Sequence, residues 1–219
     1  MTVRVRSIMI AILALLMASQ AVAKDKKKKK VLLPLEHREG TLHWSAISGH
    51  ATSDFAETTV EKSSTIHGLS FVQGTFPQDG LVLSLVTLQS DVNGKGEQKK
   101  EALTMPDPKN VNIETEQTTS FGPYRTIYGV QICTNAEGRI RGLRTWGAKI
   151  KKSGGLKRIR KVAEVAPDDC YNWHDRVRCK SGRGAIGIRA YFDRNHGIRG
   201  LQLQCAKFRR PKAKKKGKK

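Results

Sequence analysis

Four residues in the C-terminal half could together bind a small molecule. Asp168 and Asp169 are followed closely by Trp173 and His174. An indole ring can stack on the apolar face of a sugar, and carboxylate and imidazole groups can hydrogen-bond its hydroxyls. This group therefore predicts a ligand-binding site for carbohydrate, made of Asp168, Asp169, Trp173 and His174.

The three tryptophans of the chain, Trp44, Trp146 and Trp173, have two interpretations. They either provide stacking surfaces for sugar rings or bases, or they anchor the hydrophobic core. Burial is the commoner fate of large aromatic side chains, and the sequence leaves both alternatives open.

The same region contains the only compact group of acids and bases in the sequence, His174 and Asp175 beside Asp168 and Asp169. Neighbouring residues on a strand point to opposite faces, so His174 and Asp175 are not expected to act as one catalytic unit. The chain has no Gly-x-Ser-x-Gly motif of a hydrolase. We therefore assign no catalytic residue and no cofactor. One acidic pair could offer oxygens to Ca²⁺, but it does not define a metal site, and none is predicted.

The elements that would position these residues form a repeat. A short strand-like run that begins with glycine is followed, after a turn, by a second run centred on a small residue and leucine. The leading glycines recur about every sixty residues, which predicts a threefold β architecture. The copies are Gly129–Cys133 with Ile140–Arg144, Gly187–Tyr191 with Ile198–Gln202 and, more loosely, Gly68–Phe71 with Val82–Leu85.

Hydrophobic patterning predicts an all-β domain over residues 31–206. Leu81–Leu88 is the most apolar run outside the N-terminus, and its length and β-branched content favour a buried strand. Residues 91–110 are rich in turn-forming and charged residues and are predicted to be a flexible loop. Lys151–Lys161 is predicted to be a basic connection. Glycine before an apolar residue in a strand indicates either close packing of another chain segment or turn chemistry.

The cysteines predict disulfides. Their number is even, and no Cys-x-x-Cys motif or closely spaced histidine pair accompanies them to suggest zinc. Three pairings are formally open. Cys179 opens one strand of the third repeat and Cys205 closes its partner, which favours Cys179–Cys205 and leaves Cys133 to pair with Cys170.

The N-terminus has the pattern of a secretory signal peptide over residues 1–23. Arg4 and Arg6 precede an apolar run, and Ala21-Val22-Ala23 resembles a cleavage site. An N-terminal membrane anchor is the alternative. No later stretch is long and apolar enough for a transmembrane helix, so a secreted or periplasmic protein is predicted.

Most of the net charge of +22 lies in two tails, residues 24–30 and 207–219. Such basic runs repel themselves and are predicted to be disordered. They would hold the domain on polyanions with a steep salt dependence. The expected partners are lipid head groups, lipopolysaccharide or anionic polysaccharide, and nucleic acid could also bind. The alternative is that the tails only increase solubility.

The second half of the chain resembles known β-prism proteins. The segments Trp173–Cys179, Gly187–Ala190 and Gly197–Cys205 resemble the repeats of vitelline membrane outer layer protein I. Phe121-Gly122-Pro123-Tyr124 and the hairpin after it are similar to jacalin-type lectins. Both families have the β-prism I fold, so the resemblance implies three antiparallel sheets facing a shared apolar axis.

One departure limits what the resemblance implies about function. Jacalin-type sugar sites usually include a Gly-x-x-x-Asp loop before the last strand, and the corresponding stretch Tyr191–Gly197 lacks that spacing. The lectin site is therefore not carried over. The sequence predicts an exported, non-enzymatic binding protein attached to carbohydrate or anionic surfaces, with an exported carbohydrate-active or other hydrolytic enzyme as the alternative.

Overall fold

The structure is a computed structural model that describes residues 34–75, 81–93, 99–104, 112–166, 168, 170–193 and 197–211. The predicted signal peptide and N-terminal basic tail lie outside these residues. The described part is built from strands and one 3₁₀ turn at Glu39–Thr41, and it has no helix that could cross a membrane. The strands are β1 (Glu36–His37), β2 (His43–Gly49), β3 (Asp54–Thr59), β4 (Ser64–Thr75), β5 (Leu81–Asp91), β6 (Lys99–Thr104), β7 (Asn112–Ser120), β8 (Arg125–Thr134), β9 (Ile140–Ile150), β10 (Leu156–Val165), β11 (Asn172–Trp173), β12 (Val177–Arg178), β13 (Gly184–Asp193), β14 (Gly197–Ala206) and β15 (Phe208–Arg209).

The large sheets share one topology. Each has a central antiparallel hairpin with outer strands on both sides, and in sheet 2 one of these sides is formed by two short strands. Sheet 1 has the order β6-β5-β4-β7, sheet 2 the order β10-β9-β8 with β11 and β12 on the far side of β8, and sheet 3 the order β2-β14-β13-β3. The central hairpins are the three predicted repeats. The predicted all-β, β-prism I-like fold with three antiparallel sheets is confirmed.

Sheet 3 joins the two ends of the domain. Its central hairpin is C-terminal, but its outer strands β2 and β3 come from the N-terminal part of the chain. A further short pair is formed by β1, which precedes β2 in the chain, and β15, which follows β14. In this pair His37 lies opposite Phe208. The N-terminal strands therefore complete the last repeat, so the pseudo-threefold arrangement closes across the two ends of the sequence.

The leading glycines of the repeats lie at equivalent structural positions. Gly68, Gly129 and Gly187 each follow a one-residue register shift in the first strand of the central hairpin. A Cβ atom on Gly68 or Gly187 would lie 2.8 or 2.7 Å from a backbone oxygen of the adjacent outer strand, and one on Gly129 would lie 3.2 Å away. None of the three has a positive φ. Close approach of a neighbouring strand, rather than turn chemistry, therefore explains these glycines.

The central hairpins meet at a buried hydroxyl pair. Thr65 on β4 and Thr126 on β8 are fully buried, and the Thr65 hydroxyl lies 2.8 Å from the Thr126 hydroxyl and 2.9 Å from the carbonyl oxygen of Ala185 on β13. In the third repeat the equivalent position is Gly184. A Cβ atom there would lie 2.5 Å from Thr126 Oγ1. The contact therefore has room for the hydroxyl groups of Thr65 and Thr126 but for no side chain at Gly184. The core itself is apolar. Its largest fully buried side chains are Phe71, Phe192, Ile66, Leu69, Leu85, Ile127, Ile132, Ile140, Leu143, Ile186 and Ile188.

Both predicted disulfides are present. Cys133 pairs with Cys170, and Cys179 pairs with Cys205. The first joins β8 to the segment before β11, and the second joins the end of β12 to β14. Each bridge restricts the unfolded chain and should contribute roughly 2 to 4 kcal/mol to stability.

Two segments differ from the sequence-based expectation. Residues 91–110 are not one flexible loop, because β6 pairs along β5 and buries Leu103. Lys151–Lys161 is not only a connection, because β10 begins at Leu156 and forms the edge of sheet 2. Both strands are outer strands with mostly exposed side chains. Their charged composition therefore lacks the apolar pattern by which a strand is recognised in a sequence.

The folded part also extends past residue 206. Phe208 is 5 % exposed and belongs to the core, and its carbonyl group packs against Gly154. Residues 207–209 are therefore not part of a disordered tail, and residues 212–219 lie outside the described residues.

Substitution of Gly184 by alanine should destabilise the protein by about 1 to 3 kcal/mol, because the new methyl group overpacks the Thr126 hydroxyl. Urea unfolding measures this change. Gly40→Ala is the control, since a Cβ atom at Gly40 meets nothing within 4 Å. Equal stabilities of the two variants would contradict the close contact at Gly184.

Truncation should separate the core from the tail. A chain that ends at Pro211 should keep the melting temperature of the full chain, whereas one that ends at Ala206 loses Phe208 and should be less stable by about 3 to 5 kcal/mol, the cost of deleting a buried phenylalanine. Thermal unfolding followed by circular dichroism tests this. If both truncations melt alike, Phe208 is not a core residue.

Candidate functional site

Trp173 lies on an outer strand with one face of its ring covered. It pairs with Cys133 across β11 and β8 and is half-buried. The Arg144 guanidinium lies 3.7 Å from the ring centroid, and its Nε and Nη2 donate to the Glu164 carboxylate at 2.7 and 3.1 Å. This is a cation–π contact held in place by an ion pair. A ligand could stack only on the other face of Trp173.

His174 ties the segment after β11 to the end of β8. Its Nε2 lies 3.1 Å from the Thr134 hydroxyl, and its carbonyl accepts a hydrogen bond of 2.6 Å from Gln131. Its ring meets that of His50 edge to face at a centroid distance of 5.2 Å. Burial first, and then the nearby His50 and Arg199, lower the pKa of His174. These contacts favour the neutral imidazole and fix its orientation.

The two predicted aspartates are not seen to join this group. Asp168 is exposed, and no hydrogen bond or ion pair connects it to Trp173 or His174 in the described structure. Asp169 lies outside the described residues. The predicted site at Asp168, Asp169, Trp173 and His174 therefore remains a prediction.

A second group of aromatic residues lies on the outer face of sheet 3, and sequence reasoning did not bring it together. Phe55 on β3 is 47 % exposed, and its ring lies 6.1 Å from that of Tyr191 on β13. Trp44 on β2 is half-buried. The guanidinium carbon of Arg189 lies 4.5 Å from the Trp44 ring centroid and 4.4 Å from that of Phe55. We call this surface the aromatic face.

Polar side chains are held in fixed positions on the aromatic face. Arg189 Nε and Nη2 donate to Glu57 Oε2 at 2.8 and 2.6 Å. The Tyr191 hydroxyl donates to Gln202 Oε1 at 2.9 Å, and Gln202 Nε2 donates to the Ser45 carbonyl at 2.8 Å. Hydrogen bonding to Tyr191 and then to Glu57 raises the pKa of Arg189, so this side chain remains charged.

Strand register creates this surface. Arg189 lies opposite Glu57, and Tyr191 opposite Phe55, across β13 and β3. Directly opposite residues of an antiparallel pair share one face, so the alternation of Phe55 and Glu57 along β3 matches that of Arg189 and Tyr191 along β13. The alternation in each strand is visible in the sequence. The pairing of β3 with β13 is not visible in the sequence, because the paired residues Glu57 and Arg189 are 132 residues apart.

The aromatic face can bind a ligand that has both apolar and hydroxylated surfaces. Aromatic rings provide area for stacking, and the guanidinium, carboxylate and amide groups provide donors and acceptors at fixed positions. It contains no adjacent nucleophile and base among its described residues, and no group of metal-ligating side chains was found in the described part of the chain.

Comparisons with known proteins give structural likeness alone. No protein-family model matches the sequence, and no curated protein sequence matches it. Among solved structures, Calystegia sepium agglutinin is 10 % identical, with 76 % of this chain and 97 % of that chain covered and a TM-score of 0.45. A mannose-binding jacalin-related lectin from Ananas comosus is 10 % identical, with 76 % and 98 % covered and a TM-score of 0.44. Single-chain recombinant jacalin is 10 % identical, with 83 % and 99 % covered and a TM-score of 0.43. The fold assignment rests on the three sheets themselves, which have the β-prism I-like arrangement.

Acidification should destabilise the protein partly through His174. Because its folded pKa lies below the ordinary value of about 6.5, the unfolded chain takes up the proton first as the pH falls through 6.5. The melting temperature should therefore fall between pH 7.5 and 5.5, and His174→Gln should show a smaller fall. The pKa values of His37, His43 and His67 are lowered as well, so only the difference between the two proteins reports on His174. Identical pH profiles would contradict this assignment.

Proposed function

We propose that this chain is an exported, non-enzymatic carbohydrate-binding protein whose aromatic face contacts the glycan. The observation that carries the proposal is the juxtaposition of Trp44, Phe55 and Tyr191 around Arg189 on one outer sheet face. Phe55 is 47 % exposed, Trp44 is half-buried and Tyr191 is buried beneath them. An exposed aromatic ring that packs on a guanidinium among oriented polar side chains supports a binding surface here.

The geometry suits a saccharide. Arg189 lies between ring systems that come from opposite edges of sheet 3, and the Glu57 carboxylate holds it there. A sugar that lies on Phe55 could form hydrogen bonds through its hydroxyl groups with this surface. The groups that could take part are the N–H groups of Arg189 that do not bind Glu57, the second carboxylate oxygen of Glu57 and the amide of Gln202. Since these polar groups are already oriented by their partners, little side-chain entropy is lost on binding.

Export is supported by the cysteines and by the N-terminal sequence. Both disulfides lie within the folded domain, and such bridges form and persist in oxidising compartments. Together with the signal-peptide pattern at residues 1–23, they support a secreted or periplasmic location.

The residues Trp173, Asp168, Asp169 and His174 are a second proposed contact for the same glycan. The half-buried ring of Trp173 and the exposed side chain of Asp168 support it. Trp173→Ala measured beside the aromatic-face variants separates the two surfaces.

Replacement of Trp44 by alanine should weaken glycan binding by about tenfold or more, since truncation of an aromatic hot-spot residue costs about 2 kcal/mol. A glycan array identifies the ligand, and titration calorimetry then compares the wild type with Trp44→Ala and Phe55→Ala. Leu42→Ala is the control, because Leu42 is 43 % exposed and is not one of the residues of the aromatic face.

Two results would count against the proposed function. Unchanged affinity in both aromatic variants would exclude the aromatic face as the contact. Release of shortened sugars, monitored by mass spectrometry in the same samples, would favour the hydrolytic alternative.

The basic tails should add attachment to polyanions without specificity. A chain that ends at Pro211 lacks six lysines of the C-terminal tail, and it should elute from a heparin column at lower salt and with a flatter salt dependence. Each cation near an anionic surface contributes on the order of 1 kcal/mol. The matched variant replaces the same six lysines by glutamine in the full-length chain. Retention equal to that of the wild type in both proteins would refute a role for this tail.

A further inference from the structure

We propose that the domain has a built site for the sulfate or phosphate groups of an anionic oligosaccharide, in the cleft between sheet 1 and sheet 2. The cleft has a volume of about 530 Å³ and lies where the end of β7 meets β9 and β10. We call it the basic cleft. Its lining residues are Ser120, Phe121, Arg125, Lys149, Lys157, Arg158, Ile159 and Lys161.

The first argument is the arrangement of the cations. Lys149 on β9 lies directly opposite Arg125 on β8 and directly opposite Lys157 on β10. Adjacent strands are about 4.8 Å apart, so three positive side chains form one row across three strands. Directly opposed like charges destabilise a sheet. Of the described residues that line the basic cleft, none is a carboxylate that could offset this repulsion.

The second argument is that the fold holds this row in position. The Arg125 guanidinium donates through Nη1 to the Phe121 carbonyl. Phe121 packs its ring on the backbone of Gly147, where a Cβ atom would lie 2.5 Å from the ring. The turn that leads from Phe121 to Arg125, Phe121-Gly122-Pro123-Tyr124, has positive φ at both Gly122 and Tyr124. Phe121, the first residue of the motif that resembles jacalin-type lectins, therefore lines the basic cleft.

The third argument is an irregularity of the edge strand. The register of β10 shifts between Arg158, opposite Ala148, and Val162, opposite Trp146. Three residues of β10 thus oppose Gly147 alone. Such bulges re-aim side chains, and here Ile159 and Lys161 line the cleft beside Arg158. The result is a pocket with five cations and an apolar floor.

An anionic oligosaccharide fits this combination better than other polyanions. Its sugar rings can lie on Phe121 and Ile159 while its charged substituents meet the row of cations. The flat surface of a bilayer does not fill a concave cleft. The phosphate backbone of a nucleic acid would engage the cations and leave the apolar floor empty. The basic cleft lies on sheets 1 and 2, so this proposal does not depend on glycan binding by the aromatic face of sheet 3.

Thermal stabilisation separates the basic cleft from the tails. A ligand that binds only the native state raises the melting temperature, whereas charge attraction to the tail lysines acts on the native and the unfolded chain alike and leaves the melting temperature unchanged. The full chain is therefore heated with and without a heparin-derived tetrasaccharide, and in parallel with a phosphorylated mannose oligosaccharide. These two arms distinguish sulfate from phosphate esters, and the desulfated tetrasaccharide, which keeps only its uronate carboxylates, is the sulfate-free control.

The double variant Lys149→Gln/Lys157→Gln is expected to be more stable than the wild type without ligand and to gain less stability from the ligand. Without ligand it should melt at a higher temperature than the wild type, because the repulsion within the row is removed. With the charged tetrasaccharide its stabilisation should be largely lost, with an affinity at least about tenfold lower, as expected for the loss of charge-assisted contacts. Lys62→Gln/Lys180→Gln removes the same charge elsewhere on the surface and should respond to the ligand like the wild type.

Three outcomes would overturn the proposal. The first is no stabilisation of the wild type by either charged oligosaccharide. The second is an equal ligand response in the two double variants. The third is an equal or larger stabilisation by a DNA hexanucleotide or by anionic phosphatidylserine vesicles at the same charge concentration, which would assign the cleft to a different class of partner. Trp44→Ala should keep the full response, so failure of the aromatic face and failure of the basic cleft give different results.

Discussion

The structure depends on how closely the three central hairpins approach one another. Thr65, Thr126 and Gly184 occupy equivalent positions in the three repeats, and their strands meet through one hydroxyl pair and one carbonyl. A third side chain does not fit, because a Cβ atom at Gly184 would overlap the Thr126 hydroxyl. The pseudo-threefold symmetry is therefore broken at this contact, where the first strands of the three hairpins begin. The buried polar groups there satisfy each other, which a low-dielectric interior requires.

The outer strands depend on the same kind of close contact. The leading glycine of each central hairpin faces a backbone oxygen of the adjacent outer strand, at Thr119, Val177 and Thr58. A side chain at these positions would push the outer strand away. Each outer strand then needs few apolar residues to remain attached, since the ladder hydrogen bonds and the absence of an intervening side chain bring it close. This leaves the outward side chains of those strands available for binding surfaces.

The two proposed surfaces differ in how their charges are balanced. On the aromatic face, Arg189 is neutralised by Glu57 and packed between rings, so its charge is compatible with a stable sheet. In the basic cleft, Lys149 lies between Arg125 and Lys157 with no opposing carboxylate among the described lining residues. The first surface is stable without a ligand. The second carries a repulsion that a bound anion would remove, which is typical of sites where function reduces stability.

The sequence alone determined the local elements of this protein. The three hairpins, the buried strand at Leu81–Leu88 and the pairing of Cys179 with Cys205 could be predicted, because period-two patterning and short separations identify a strand and its nearest neighbour. The polar strands β6 and β10 could not be predicted, since their stability comes from pairing with β5 and β9 rather than from their own apolar content. Tertiary structure alone decided that β2 and β3 complete the C-terminal sheet, and hence that Trp44 and Phe55 lie beside Arg189. It also decided that Lys149 lies between Arg125 and Lys157. Patterning shows which face of a strand is buried, but it does not show which distant strand lies beside it, because that choice depends on the packing of the whole core.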